Sequence, residues 1–369
     1  MKIGILTFAD VPNFGANLQA LSTVCYLKNH GYDPVLIKWT PLDFEKRFVK
    51  TKNQVQQKKH FDFVKNNLPW TDLCRNDDEI CDVIEKECID AIIIGSDAVL
   101  QHVSLLSRVQ FPSKRIIKIM EMTSERIFPN AFWGTFYSKL GNKIPMAIMS
   151  ASSQNSNYRL LGYSVRQHMT NCLKNFNYIS VRDMWTKNMI YSVSGHLINP
   201  LITPDPVFAF NNNCEGLIPT KNDIIKRFSL PENYVLVSMK GRLLNNENWM
   251  NELKMEFEKY NMVCVALPMP DGVVFKHNFD IEIKEPLSPL DWYALIKYAN
   301  GYVGENMHPI VVALHNSVPC FSFDTYGALK LARLYCIQES SKIYDILQQF
   351  DILNFRCNAA PRFWKCPKA

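Results

Sequence analysis

The order of the first elements constrains the fold of this chain more than any other feature. An apolar run from Lys2 to Phe8 is followed by a loop that contains Asn13 and Gly15. Apolar side chains then recur at helical spacing to about His30, and a second apolar run covers Pro34 to Trp39. Strand, helix and strand in this order form a βαβ unit, which is how a doubly wound parallel sheet begins.

The same pattern is repeated along most of the chain. Apolar runs without polar alternation are typical of parallel strands that are covered on both faces. Such runs cover Ile89–Ile94, Pro145–Met149, Tyr178–Val181, Tyr234–Met239, Met262–Leu267, Gly301–Gly304 and Val318–Phe323. Helical patterns lie between them, notably Asn246–Lys259 and Pro289–Ala299. The sequence therefore predicts an α/β fold with two Rossmann-like, doubly wound domains that face a cleft.

The 369 residues divide naturally into two such domains and a tail. We expect the N-terminal Rossmann-like domain to span residues 1–206 and the C-terminal one to span residues 207–327. The asparagine-rich stretch Asn211–Asn213, with prolines nearby, is interpreted as the linker. Residues 328–369 are interpreted as C-terminal helices and a tail, which could pack back on the N-terminal domain.

Composition excludes several classes of protein. The net charge is +6 and is spread along the chain, so we expect no nucleic-acid partner. The eleven cysteines include no C-x-x-C pair, and we expect neither a disulfide framework nor a metal site. No apolar run approaches the roughly 20 residues that a membrane span needs, and the N-terminus does not resemble a signal peptide. We therefore expect a cytoplasmic protein.

Polar residues follow the predicted strands of the first half. Ligands of open parallel sheets bind outside the carboxyl ends of the strands, so these residues are candidates for a site. In chain order they are Asn13, Gly15, Asn17, Ser96, Asp97 and Ser152. Free N–H groups at a helix N-terminus attract anions, and a carboxylate such as Asp97 can serve as a general base. Ordinary turn formation and helix capping would explain the same residues.

Cationic residues follow strands in both halves. Arg182 comes directly after Tyr178–Val181, and its guanidinium could bind a carboxylate or phosphate through two hydrogen bonds. An ion pair with a surface acid is the alternative. Lys240 and Arg242 follow the first strand of the second half and indicate an anionic ligand. His308 lies where the strand Gly301–Gly304 gives way to an apolar helix, and a helix N-terminus lowers the pKa of a histidine.

Short segments, taken in order, resemble those of one family, the polysaccharide pyruvyl transferases. Together they cover roughly residues 1 to 325. The segments are Ile3–Phe8, Asn13–Gly15, Leu18–Ala20, Ile94–Asp97, Ile179–Asp183, Pro204–Pro206, Gly304–His308, Ala313–Asn316 and Val318–Pro319.

The resemblance implies an architecture like that of GT-B glycosyltransferases, with the acceptor on the N-terminal side and the donor on the C-terminal side. It implies phosphoenolpyruvate as the co-substrate, no other cofactor and no metal, and a cyclic pyruvate ketal on a hexose as the product. Arg182 matches a family arginine that binds the donor, and His308 matches a family histidine at the reacting centre. Many members carry an arginine two residues before that histidine, where this chain has Asn306.

We assign roles to the candidates on this basis. The catalytic pair is His308, as the acid that protonates the donor, and Asp97, as the base for the attacking hydroxyl. The donor-binding set is Arg182, Lys240, Arg242, Asn306 and Met307. The acceptor-binding set is Asn13, Gly15, Asn17, Ser96 and Ser152. Two alternatives stay open, a GT-B glycosyltransferase that uses a nucleotide sugar and an inactive relative that only binds glycans.

Two segments combine large apolar side chains with cations. Ile127–Trp133 is followed by Tyr137 and Lys139, and the tail carries Phe355–Arg356 and then Arg362–Lys365. Such segments suit a membrane interface, and family members often act on sugars carried by a polyprenyl lipid. We therefore expect a lipid-linked oligosaccharide as the acceptor and a peripheral contact with the inner face of the cytoplasmic membrane. Packing of both segments against the protein's own core is the alternative.

Overall fold

The computed structural model describes residues 1–47, 53–113, 116–239, 247–284, 286–324, 328–330 and 335–358. The helices are α1 Phe14–Asn29, α2 Gln54–Asn67, α3 Asp77–Lys86, α4 Leu105–Arg108, α5 Tyr163–Leu173, α6 Met184–Val193, α7 Phe210–Cys214, α8 Lys221–Phe228, α9 Glu247–Glu258, α10 Pro289–Lys297, α11 Met307–His315 and α12 Lys342–Gln349. Polar side chains fix several helix starts, because residues such as Asn13 and Ser288 accept hydrogen bonds from the first turn.

Most strands of the N-terminal half form one parallel sheet, and an antiparallel pair lies outside it. Their bounds are β1 Lys2–Leu6, β2 Asp33–Trp39, β3 Trp70–Cys74, β4 Ala91–Ile94, β5 Val109–Ser113, β6 Ile116–Ile119, β7 Met146–Ala151, β8 Tyr178–Val181 and β9 Leu201–Ile202. The order is β3-β2-β1-β4-β7-β8-β9, and each neighbouring pair is parallel. Strands β5 and β6 pair separately as an antiparallel hairpin.

The second sheet repeats the same winding. Its strands are β10 Tyr234–Ser238, β11 Val263–Ala266, β12 Ile281–Glu282, β13 Gly301–Gly304, β14 Cys320–Asp324 and β17 Arg356–Asn358, and β15 Ala328–Lys330 pairs only with β16 Tyr335–Ile337. The order β12-β11-β10-β13-β14-β17 is parallel throughout. Both sheets thus have the strand order of a Rossmann fold, and the predicted fold class is confirmed.

An apolar interface joins the two halves. The buried face of α1, with Leu18 and Leu21, belongs to the same hydrophobic cluster as Ile310 of α11. The ring of Phe14 stacks on Trp292 of α10 with 5.0 Å between centroids. The side chain of Gln56 donates to the carbonyl of Leu287 at 2.9 Å and accepts from its N–H at 2.7 Å. These contacts fix how the carboxyl ends of the two sheets face each other.

The last part of the chain contacts both halves. Strand β17 extends the second sheet beside β14, whereas Asp345 of α12 accepts a hydrogen bond from the backbone N–H of Met184 at 3.0 Å. The domain boundaries at 206 and 327 stay predictions. The interpretation of Asn211–Asn213 as the linker likewise stays a prediction. These residues lie within α7, where Asn211 bonds to Asn316 at 2.8 Å.

The aromatic segment Ile127–Trp133 is not a membrane-binding surface. Phe128, Phe132 and Trp133 are buried in the core of the first sheet, because their rings pack against one another and against its strands and loops. At the start of the tail, Phe355 is exposed, whereas Arg356 is 7% exposed and pairs with Asp324 of the second sheet. The tail segment Arg362–Lys365 lies outside the described residues. Within the described ranges, no helix is both long and apolar enough to cross a membrane.

Candidate active site

The site lies where the strand order of each sheet reverses. This switch point falls between β1 and β4 in the first sheet and between β10 and β13 in the second. Loops diverge at such points and leave a crevice outside the carboxyl ends of the strands. Here the loops after β1, β4 and β13 meet around a cavity of about 300 Å³ between the two halves.

Three helices begin at the wall of this cavity. Helix α1 begins beyond its cap Asn13, and α12 begins beyond its cap Ser341. Helix α11 begins after Asn306, whose side chain makes no capping hydrogen bond. A helix N-terminus presents unpaired N–H groups and a partial positive charge. The convergence of three N-termini on one cavity therefore favours an anionic ligand.

His308, in the first turn of α11, crosses from the second half to touch the first. Its ring lies against Gly15 so closely that a Cβ atom on Gly15 would overlap the imidazole. The side chain is 15% exposed, and its Nε2 atom lies 3.9 Å from a carboxylate oxygen of Asp205. No described residue forms a hydrogen bond with Nε2. The imidazole is therefore held in place by packing, with its Nε2 atom buried on the side of Asp205.

Arg182 joins the two carboxylates next to this histidine. Its side chain is 4% exposed and donates to Asp205 through Nη1 and to Asp97 at 3.2 Å through Nη2. Asp97 adopts the left-handed backbone conformation, with φ of 75°, and its carboxylate also accepts from the N–H of Ala98 at 2.7 Å. The arginine thus fixes the two carboxylates, with one hydrogen bond from each of its terminal nitrogens.

The charges at the site set opposite protonation states for Asp97 and His308. Burial opposes ionisation of Asp97, but the charges of Arg182 and Lys342 outweigh it, so the pKa of Asp97 lies below its usual range. Burial lowers the pKa of His308 to about 4, and Asp205 only partly opposes this shift. At neutral pH the empty site therefore holds an ionised Asp97 and a neutral His308.

Comparison with known proteins assigns the chain to a family. A sequence model of the polysaccharide pyruvyl transferases matches residues 13–326, which include the start of α1 and the loops after β4 and β13. The chain belongs to the polysaccharide pyruvyl transferase family. No curated protein matches the sequence.

Solved structures are similar to this pyruvyl transferase family member, and the first of them, with a TM-score of 0.50, supports the fold. The UDP-GlcNAc 2-epimerase from Methanocaldococcus jannaschii is 12% identical and has a TM-score of 0.50, with 96% of this chain and 100% of that chain covered. The epimerase from Neisseria meningitidis bound to UDP-GlcNAc is 12% identical, with a TM-score of 0.49 and coverage of 96% and 91%. A spinosyn forosaminyltransferase is 11% identical, with a TM-score of 0.43 and coverage of 96% and 92%. At these identities the likeness concerns the fold alone.

The structure brings many of the predicted residues together in the transferase cavity. Those that line it are Asn13, Gly15, Asp97, Asn306, Met307 and His308. Lys240 and Arg242 lie outside the described residues, and their donor-binding role stays a prediction. Within the described ranges, no group of three His, Cys, Asp or Glu side chains is placed to hold a metal ion.

Four other predicted residues lie behind the cavity wall. Asn17 donates to the carbonyls of Ala9 and Val11, and Ser96 donates to the carbonyl of Ser150 at 2.9 Å. Both side chains, together with that of Ser152, are fully buried and hold the loops that line the cavity. Arg182 is buried as well and is bonded to carboxylates. Direct contact of these four with a substrate does not fit the geometry, so we assign them a positioning role.

Sequence reasoning missed several residues of the site. Asp205 lies in a segment that carried the family resemblance, but no local sequence pattern indicated that it would lie near His308. Lys342 lies 34 residues beyond His308 in the sequence, in the segment taken as a tail, yet it lines the same cavity. A lysine that directly follows the pair Ser340–Ser341 at a predicted helix start was the available clue. Gln101, Gln154 and Trp292 also line the cavity.

Replacing Gly15 with alanine is expected to lower turnover by about 100-fold, because the new Cβ would push the ring of His308 out of place. Alanine is a better helix former than glycine, so α1 itself should not suffer. Steady-state kinetics and thermal unfolding check this. Gly216→Ala is the matched control, since a Cβ at Gly216 would meet nothing within 4 Å. Normal turnover in Gly15→Ala would show that the close packing of His308 is not needed.

Proposed function

We propose that this protein transfers the pyruvyl group of phosphoenolpyruvate to a hexose and forms a cyclic pyruvate ketal. The acceptor would be a surface polysaccharide or its lipid-linked precursor. Family membership supports the reaction class. The observation that carries the proposal is the cavity at which three helix N-termini meet the imidazole of His308. Phosphoenolpyruvate, with a carboxylate and a phosphate, is an anion of the kind that such a cavity favours.

His308 would act as an acid only after the donor has bound. In the empty site its pKa of about 4 keeps the imidazole neutral. The negative charges of the donor would raise that pKa and let the imidazole take up a proton. Protonation of the methylene carbon by His308 would then leave C2 of the donor with oxocarbenium character. The site would thus be active only when the donor is present.

Asp97 would act as the base for the acceptor hydroxyl. Its carboxylate is ionised and lines the cavity, so it can accept a hydrogen bond from the first sugar hydroxyl as that hydroxyl attacks C2. A second hydroxyl then displaces phosphate and closes the ketal. The two hydroxyl protons leave, one proton is gained at the methyl carbon, and the phosphate departs with the electrons of its C–O bond. Asn13 and Gly15 lie at the first-domain side of the cavity, where the acceptor would enter.

The proposed location of the enzyme depends on its acceptor. A lipid-linked sugar would bring the enzyme to the inner face of the cytoplasmic membrane, and the C-terminal tail with Arg362–Lys365 is the segment proposed to contact it. Anionic vesicles in a flotation assay test this contact. Binding that weakens with salt and with Trp364→Ala would support it, and full activity on a water-soluble acceptor without vesicle binding would count against it.

The purified protein is expected to bind phosphoenolpyruvate and not nucleotide sugars. The cavity has the helix N-termini that a small anion needs, and the first loop lacks the G-x-G-x-x-G pattern of dinucleotide sites. Isothermal titration with phosphoenolpyruvate and with UDP- and GDP-hexoses checks this. Tight binding of a nucleotide sugar, with none of phosphoenolpyruvate, would reverse the ranking in favour of a glycosyltransferase.

A further inference from the structure

Lys342 occupies a fixed place in the cavity wall. It is the first residue of α12 and lines the cavity together with Asn306 and His308. The start of this helix is anchored to both halves. Ser341 bonds through its hydroxyl to Asp324 of the second sheet, whereas Asp345 accepts from the N–H of Met184 at 3.0 Å. These contacts therefore hold the backbone of Lys342 in place at the cavity.

The ammonium group of Lys342 has no partner in the described part of the chain. It forms no hydrogen bond, and no carboxylate there lies within the 4.0 Å of an ion pair. The nearby carboxylates of Asp97 and Asp205 are instead bonded to Arg182. The segment that precedes His308 brings no cation to the cavity, since Asn306 is neutral and its amide contacts the sulfur of Met269 at 3.3 Å. Among the described residues, Lys342 is thus the cation at this site that has no partner.

Its surroundings leave this lysine charged but poorly solvated. Burial, and after it the charge of Arg182, lower the pKa of Lys342 to about 8 against the opposing charges of Asp97, Asp183 and Asp205. At neutral pH most molecules therefore carry the charge. A partly desolvated cation without a counter-ion is costly, and the cost is relieved when an anion binds.

We propose that Lys342 is a donor-binding residue that pairs with an anionic group, phosphate or carboxylate, of the ligand in the cavity. The inference rests on the proposed function for the identity of that ligand as phosphoenolpyruvate. Lys342 would act with the N-termini of α11 and α12, whose N–H groups point to the same space. Its positive charge would also make the site bind a small trianionic donor in preference to a neutral sugar.

Titration of the full-length protein with three probes tests this proposal. The probes are phosphoenolpyruvate, inorganic phosphate and a UDP-hexose, and the variants are Lys342→Gln, Lys342→Arg and, as a control, Lys28→Gln on the exposed side of α1. Loss of a charge-assisted contact should weaken binding of phosphoenolpyruvate by about 10- to 100-fold in Lys342→Gln. Lys342→Arg should restore most of the affinity, and Lys28→Gln should match the wild type. Thermal unfolding of each variant checks its fold.

The outcomes separate this inference from the proposed function. If Lys342→Gln is folded and binds phosphoenolpyruvate as tightly as the wild type, the role of Lys342 is wrong and the function stands. If only the UDP-hexose binds, and Lys342→Gln loses it, the function is wrong and Lys342 remains the anion-binding residue. If the wild type binds none of the three probes, both are overturned. Phosphate binding that requires Lys342, without binding of phosphoenolpyruvate, would keep the anion site and reject the donor.

Discussion

Replacing His308 with alanine is expected to lower turnover by about 10²–10⁴-fold, the usual contribution of a general acid, while the protein stays folded. The ring lies in the cavity wall, and its Nε2 atom has no hydrogen-bond partner among the described residues, so its loss breaks few internal contacts. The measurement is kcat at saturating phosphoenolpyruvate and acceptor, with thermal unfolding as the check on folding. Donor affinity should change much less than kcat.

A second histidine on the same helix gives the matched control. His315 is the last residue of α11 and does not line the cavity, so His315→Ala should keep near wild-type turnover. The pH profile gives an independent readout. Because the proposed acid is the protonated form of His308, kcat of the wild type should fall as pH rises through the pKa of the donor-bound histidine. A near wild-type rate in His308→Ala would remove the proposed acid from the mechanism.

Replacing Arg182 with alanine is expected to lower the free energy of unfolding by about 3–5 kcal/mol, which is typical when one partner of a buried ion pair is removed. Asp97 and Asp205 would lose their common partner, and the side chain of Asp205 is only 2% exposed. Turnover should fall as well, since both carboxylates lie next to the site. Denaturant unfolding of Arg182→Ala, and of the control variant Arg227→Ala described below, measures this loss of stability.

Arg227→Ala is the matched control for this loss. Arg227 also pairs with an aspartate, Asp291, but it is 52% exposed, and exposed pairs contribute about 0–1 kcal/mol. Unchanged stability in Arg182→Ala, together with a large rise in the Kd of phosphoenolpyruvate, would mean that Arg182 contacts the donor directly. That result would return it to the role that the family resemblance implied.

The sequence predicted the strands and their polar ends because both signals are local. Apolar runs without alternation identified β4, β8, β10 and β13, and the switch-point rule placed Asp97 and His308 near a common cleft. Strand β3 was missed because it has neither an apolar run nor strict alternation: Thr71 is buried, whereas the adjacent Asp72 and Leu73 are both exposed at this edge of the sheet. A short segment without either pattern gives little evidence of a strand.

Side-chain direction at the strand ends could not be predicted in the same way. Asn17 and Ser96 are polar and follow strands, as Asp97 does, yet both turn into the loops and bond to backbone carbonyls. The pairing of Arg182 with Asp97 joins residues 85 positions apart, and that of Arg182 with Asp205 joins residues 23 positions apart. Lys342 reaches the cavity only because α12 is anchored between the two halves. Such contacts depend on tertiary packing and have no local pattern.

The most direct test of the proposed activity is the mass of an acceptor glycan after incubation with the protein and phosphoenolpyruvate. The account predicts that a hexose-containing acceptor, lipid-linked or synthetic, gains the mass of pyruvic acid less one water, and that one inorganic phosphate is released for each ketal formed. The product should form about 10²–10⁴-fold more slowly when His308→Ala replaces the wild type. An unchanged glycan across a broad acceptor panel, or transfer of a sugar from a nucleotide donor by the same protein, would contradict the account.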